Sequence, residues 1–284
     1  MSTVIEGIAR ITREMGLDAV IVGEGNASRH ILQNVDEWDA GLHEAIKLNL
    51  NGYTRLSRWD AFFITAGGAY GLSPFMGEGG YDGVISLRGP GEWDSYESLG
   101  KALGEIGRSH GVKTCGFTAV DMNAKVYLDI AAHAGFELRE LDDDPFAVLR
   151  SKHTEREIEK ITRAQRIAEE ALELLIPKIV PGAVELELRQ ELIGTMISLG
   201  ASGPSCRLLG SGKATGESHA QATAKKIEKG DAVVIDFGAI FDDYNSDMTR
   251  TFFVGSATDE QKFHYNLVLE AQQAAIDAFK VGAL

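Results

Sequence analysis

The chain's 284 residues are enough for two ordinary domains with a sizeable buried core. Apolar residues make up 44% and charged residues 25%, the proportions of a globular protein, which sets aside disordered and fibrous classes. Forty-two acidic against 28 basic side chains leave a formal charge of −14, so most of the surface would repel a nucleic-acid backbone and no nucleic-acid partner is expected.

The first residues, MSTVIEGIARITREMG, place Val4, Ile5, Ile8, Ile11 and Met15 on one helical stripe, with Gly16 ending the helix before the strand-like DAVIVG. Glu6, Arg10, Arg13 and Glu14 fall where a signal peptide would be apolar, and no run approaches membrane-spanning length. The expectation is a cytoplasmic protein with no membrane partner. Residues 34–94 are rich in Gly, Trp and Tyr and yield no motif. After them, ESLGKALGEIGRSHG reads as a helix ending at Gly111, KTCGFTA as a strand, NAKVYLDIAAHAG as a helix closed by Gly135, and FELRELD as a further strand. Such alternation predicts an α/β domain. Cys115 and Cys206 lie far apart without a metal-ligand pattern around them, and are expected to be ordinary reduced thiols.

The acidic turn LDDDPFAVLRSKH, with Pro145, marks a boundary, giving domains at 1–147 and 148–284. Thr154 and Glu157 then form a capping box for a long helix whose expected apolar face holds Ile158, Ile161, Gln165, Ala168, Leu172 and Leu175. Pro177 and the PGA of 181–183 stop it. A second helix is expected over 184–199 with Gly200 as its C-cap, followed by a Gly/Ser-rich loop over 200–218. Thr258 and Gln261 supply another capping box for a last helix running to about Lys280.

Between these helices lies GDAVVIDFGAIFDDYNSDMTRTFFVG, residues 230–255. AVVIDFGAI and DMTRTFFVG are rich in β-branched and aromatic residues and are separated by FDDYNS, which predicts an antiparallel hairpin. A turn centred between Phe241 and Asp242 would put Asp236 directly opposite Asp247, with Cβ atoms about 5 Å apart, where like charges repel. Two such carboxylates can share a proton or a divalent cation, and the cation is the stronger expectation. The bland alternative is that Asp247 ends a loop and Asp236 is a partly exposed polar residue. A calcium-loop reading that begins at Asp243, Asn245 and Asp247 fails, because its glycine would fall on Met248 and its closing glutamate on Val254. His219 ends the glycine-rich GSGKATGESH. It is either a solvated loop histidine or a group that binds substrate or moves a proton. The other six histidines read as ordinary; His264, on the last helix, is the nearest to an exception.

The hairpin sequence resembles the first metal-binding hairpin of the pita-bread metallopeptidases, the family of Xaa-Pro aminopeptidases, prolidases and creatinase. Asp236 and Asp247 have the family's spacing, and His219, 17 residues before Asp236, matches its substrate-side histidine. LRSKHTEREIEKITRAQRIAEEAL resembles the helix that opens the catalytic domain. The resemblance covers about residues 148–284 and is loose before them. It implies a ribonuclease H-like α/β domain of the creatinase/prolidase N-terminal type, followed by an α+β pita-bread catalytic domain, of which mainly the first half is present. It also implies a homodimer that hydrolyses Xaa-Pro bonds in short proline-containing peptides, with two divalent ions (manganese, cobalt or zinc) held partly by Asp236 and Asp247. The family's remaining histidine and two glutamates lie beyond the equivalent of residue 284. The expectation is therefore a piece of a longer enzyme, with two of five ligands within these residues, the alternative being a genuinely short chain whose surface another subunit covers. A non-catalytic binding module and a creatinase-like hydrolase of a small non-peptide C–N substrate are the alternatives.

Overall fold

A computed structural model of the chain describes residues 3–23, 61–66, 68–73, 84–86, 99–122, 124–142 and 145–282. Most of the Gly/Trp/Tyr-rich stretch 34–94 lies outside the described residues. Two compact units are present, Met1–His153 and Thr154–Leu284, with the division a few residues past the boundary read from sequence.

In the first unit, α1 (Thr3–Glu14), β1 (Ala19–Val22), β2 (Ala61–Thr65), β3 (Gly68–Ser73), β4 (Val84–Ser86), α2 (Leu99–Ser109), β5 (Thr114–Thr118), α3 (Ala124–His133) and β6 (Glu137–Leu141) follow in order. The strands form one mixed sheet in the order β4-β3-β2-β1-β5-β6. β1 runs antiparallel to β2 and parallel to β5. All four β1 residues are buried, because alternate side chains feed two cores. Ala19 and Ile21 pack with Leu103, Cys115 and Ile130. Val20 and Val22 pack with Ile8, Ile11 and Phe146. Helices thus cover both faces of the central strands, as the sequence alternation implied. α2 and α3 approach closely at Gly104, where a Cβ would stand 2.6 Å from the Ala134 carbonyl oxygen.

The second unit holds α4 (Glu155–Leu175), α5 (Glu185–Ser198), β7 (Gly203–Ser211), β8 (Ala232–Phe241), β9 (Tyr244–Asn245), β10 (Met248–Phe253) and α6 (Asp259–Ala278). The antiparallel sheet runs β10-β8-β7, with β9 also pairing β8. Val233, Ile235, Phe237 and Ala239 of β8 join Ile167, Ala168, Ala171 and Leu172 of α4 and Leu188, Leu192 and Met196 of α5 in one core. Burying each large member stabilises the unit by roughly 1.5–3 kcal/mol before entropy is counted. The alternate β8 residues, Asp236 among them, face away from that core.

Both capping boxes form as expected, at Thr154/Glu157 and Thr258/Gln261. The buried face of α4 keeps the C-terminal half of the expected stripe, Ala168, Leu172 and Leu175, but its N-terminal half is turned: Glu157, Lys160, Ala164 and Ile167 lie inward, and Ile158 is 52% exposed. The reason is packing, since small residues at 164, 168 and 171 let the helix sit close to β8. The loop expected over 200–218 contains β7, a nine-residue strand, and a 3-10 turn over Gly212–Gly216. Its Gly, Pro and Ser residues hide it from propensity reading, yet pairing along β8 forms the strand. α6 has no buried residue, and its Phe263, Leu267, Val268 and Ile276 are each more than half exposed. No helix among the described residues is long and apolar enough to cross a membrane.

Candidate metal centre

The β8–β9–β10 hairpin forms, but its turn is centred one residue later than expected, on Asp242 and Asp243. Both have positive φ, 46° and 67°, as the two central residues of a type I′ hairpin turn require, and aspartate tolerates that region better than most residues. The helix α4 holds the tip: Lys160 Nζ lies 2.8 Å from Asp242 Oδ2 and sits over the Tyr244 ring. The Tyr244 hydroxyl donates to Glu157 Oε1 at 2.8 Å, while Glu157 Oε2 serves the capping box.

The register places Thr249, not Asp247, opposite Asp236. This corrects the directly opposed pair expected from sequence. Continuing the same register places Asp247 opposite Gly238, two positions along, so the carboxylates are diagonal neighbours on the face turned away from the core. Diagonal positions across an antiparallel pair are about 7–8 Å apart. A strand shifted by an odd number would have separated them onto opposite faces; the even shift keeps them together. Gly238 is needed at this point because a Cβ there would stand 1.9 Å from the Ser246 carbonyl oxygen. Ser246 in turn accepts from Ser205 and pairs with Ala239, which fixes the chain just before Asp247.

Asp236 is half-buried and Asp247 exposed. Thr249 Oγ1 donates to Asp236 Oδ1 at 2.8 Å. The other oxygen, Oδ2, has the Cys206 thiol 3.6 Å away. Cys206 reaches it because β7 pairs with β8 and carries an irregularity between Pro204 and Cys206. Burial first, and the Asp236 charge second, push the Cys206 thiol up, so it stays protonated and donates. Sequence reading missed this neighbour, since a contact between residues 30 apart depends on the β7–β8 register. Asp247 makes no hydrogen bond or ion pair among the described residues.

His219 is exposed, in the segment that leaves β7 after the 3-10 turn, and its Nδ1 lies 3.2 Å from Ser218 Oγ. His264 stacks edge-on against Phe263 on the exposed α6. Among the described residues, no group of three His, Cys, Asp or Glu side chains is gathered in a way that could hold a metal ion. The structure therefore brings Asp236 and Asp247 to one face and leaves His219 outside any ligand cluster. Two anionic oxygen donors on a rigid hairpin face fit a hard divalent cation as a partial ligand set.

Residues 159–284 match the model of metallopeptidase family M24. Among curated proteins, an Xaa-Pro dipeptidase of Pyrococcus furiosus is 41% identical over 141 residues, which is 49% of this chain and 40% of the relative. The uncharacterized peptidase YqhT of Bacillus subtilis is 32% identical over 190 residues, 65% of this chain and 53% of the relative. The chain thus spans about 40% of the length of the curated relatives it matches first. An Xaa-Pro dipeptidase structure from Bacillus anthracis superposes with a TM-score of 0.76 at 25% identity, covering 95% of this chain and 70% of the other. The prolidase structure from Pyrococcus furiosus gives a TM-score of 0.69 at 26% identity, with 93% and 70% coverage. Residues 159–284 thus match metallopeptidase family M24, and the chain has the pita-bread fold of these prolidase structures.

Proposed function

We propose that this chain contributes Asp236 and Asp247 to the metal centre of a peptidase that hydrolyses Xaa-Pro bonds in short peptides. The observation that carries the reading is the pair itself. Two carboxylates share one open face of the hairpin without a cation of the protein against either among the described residues, so both are available to a ligand. The names of the relatives, Xaa-Pro dipeptidase and prolidase, support the substrate class.

Asp236 and Asp247 would hold divalent ions, and hard oxygen donors favour manganese, with cobalt and zinc as further candidates. Such ions, when bound, supply Lewis acidity and activate water at neutral pH. The protein's own part is to fix Asp236 on β8 and Asp247 at the entry to β10, and to keep the face open to a peptide. His219, exposed at the end of its segment, would donate a hydrogen bond to the substrate or a proton to the departing nitrogen. A homodimer and a cytoplasmic location belong to the same reading and rest on the family resemblance.

The test is hydrolysis of Xaa-Pro dipeptides and Xaa-Pro-containing tripeptides by the native protein with manganese. Asp236→Asn is expected to lower kcat/KM at least about 100-fold, as is chelation, with recovery when the ion is restored. Full activity in Asp236→Asn, or activity indifferent to chelation, would contradict the proposal. His219→Ala is expected to reduce kcat about 100-fold while leaving metal affinity unchanged.

A further inference from the structure

Thr249 occupies an unusual place in this hairpin. It stands directly opposite Asp236 in the β8–β10 register and two residues beyond Asp247, which immediately precedes β10, so it adjoins both carboxylates on one face. Its hydroxyl is committed: Oγ1 donates to Asp236 Oδ1 at 2.8 Å. The side chain is exposed, so it is not there to fill the core. A β-branched residue on a strand has a stiff χ1, which fixes the position of the hydroxyl oxygen from which the hydrogen is donated. An Asp side chain otherwise rotates freely about χ2, and a carboxylate that must meet an ion loses that freedom on binding.

We propose that Thr249 is a positioning residue for the metal centre: its hydroxyl locks the plane of the Asp236 carboxylate before an ion arrives and leaves Oδ2 turned toward the ion. The inference rests on the reading of Asp236 and Asp247 as metal ligands. Three features of the hairpin point the same way. The donor is neutral, so it orients the carboxylate without neutralising the charge an ion needs. It acts on one oxygen only, and Oδ2 has nothing closer than the long Cys206 contact. It also sits on β10, which begins immediately after Asp247, so one short segment sets the position of one ligand and the orientation of the other.

The experiment is calorimetric titration of the native metal-free protein with Mn²⁺, comparing the wild type with T249V, T249A, T249S and D236N, alongside thermal melting of each metal-free variant. T249V and T249A are expected to weaken Mn²⁺ binding about 10- to 100-fold, and T249S to bind within about threefold of the wild type. The metal-free melting temperature of T249V should be unchanged, because an exposed methyl-for-hydroxyl exchange removes no core contact, and that of T249A should fall by no more than a few degrees through its lower strand propensity. Valine and alanine variants that bind Mn²⁺ as tightly as the wild type, while D236N loses it, would overturn the positioning role and leave the metal site standing. A loss that T249S shares in full would overturn it as well, since the hydroxyl would not be the cause. If D236N binds the ion as tightly as the wild type, the metal-site reading falls and the role of Thr249 falls with it.

Discussion

Glu185 and Asp236 are both acidic residues of the second unit, and their surroundings could hardly differ more. Glu185, at the start of α5, is 1% exposed and has both oxygens saturated from within the chain. Ser211 donates to Oε1 through its backbone N–H at 2.9 Å and its hydroxyl at 2.6 Å. Thr223 donates to Oε2 through the same two groups at 3.0 and 2.8 Å. Lys225 backs this arrangement by donating to the Ser211 hydroxyl and to Asp231. Asp236 has one hydroxyl and one distant thiol. A carboxylate whose lone pairs are all used by the fold is a structural tie, joining α5, the end of β7 and the segment before β8. A carboxylate held by one hydroxyl, with only a long, weak thiol donor on its other oxygen, is available to a ligand.

The comparison can be broken most directly at Glu185. Glu185→Gln places an NH₂ group against a backbone N–H and a hydroxyl that both donate, and should cost about 3 kcal/mol, read from denaturant unfolding. The same tie has a pH signature. Burial is the largest influence on Glu185 and raises its pKa, yet the hydrogen bonds from Ser211 and Thr223 together outweigh it, so the net shift is downward. A depressed folded-state pKa gives stability that is present above the unfolded-state value and is lost as the pH falls through the folded one. Acid unfolding monitored below the normal glutamate range should therefore be shallower in Glu185→Gln than in the wild type. Gly238→Ala comes next, at about 2–3 kcal/mol, because the added Cβ collides with backbone at Ser246 and displaces the turn that sets Asp247. Thr154→Ala should cost about 1 kcal/mol by removing the α4 cap, measured by thermal melting. Asp236→Asn closes the series: in the metal-free protein it should change stability by no more than about 0.5 kcal/mol, because no tie depends on its charge. A loss as large as that of Glu185→Gln would make Asp236 a structural residue and erase the contrast.

Much of this unit is legible in sequence where the signal is local. The capping boxes at Thr154/Glu157 and Thr258/Gln261 need only four residues each, and both form. The strands β8 and β10 announce themselves through Val, Ile and Phe. What escaped the sequence was set by pairing across distance. β7 begins with Gly203, Pro204 and Ser205, and becomes a strand because β8 offers it a ladder. The hairpin turn was placed one residue early because Asp242–Asp243 is a less familiar pair for positive φ than Asn–Gly, and FDDYNS looks like a loop although Phe241 and Tyr244 are paired. That error moved the partner of Asp236 from Asp247 to Thr249, yet kept the two aspartates on one face, since the face depends only on parity. Cys206 beside Asp236 had no sequence signal, because the β7–β8 register creates the contact.

The central claim is that the Asp236–Asp247 face holds metal ions. It is tested most directly by a crystal structure of the native protein grown with manganese, with anomalous diffraction recorded at the manganese edge. The account predicts an anomalous peak within about 2.3 Å of carboxylate oxygens from both Asp236 and Asp247. Manganese-saturated crystals with no peak at these two carboxylates, or with the ion bound elsewhere, would contradict it.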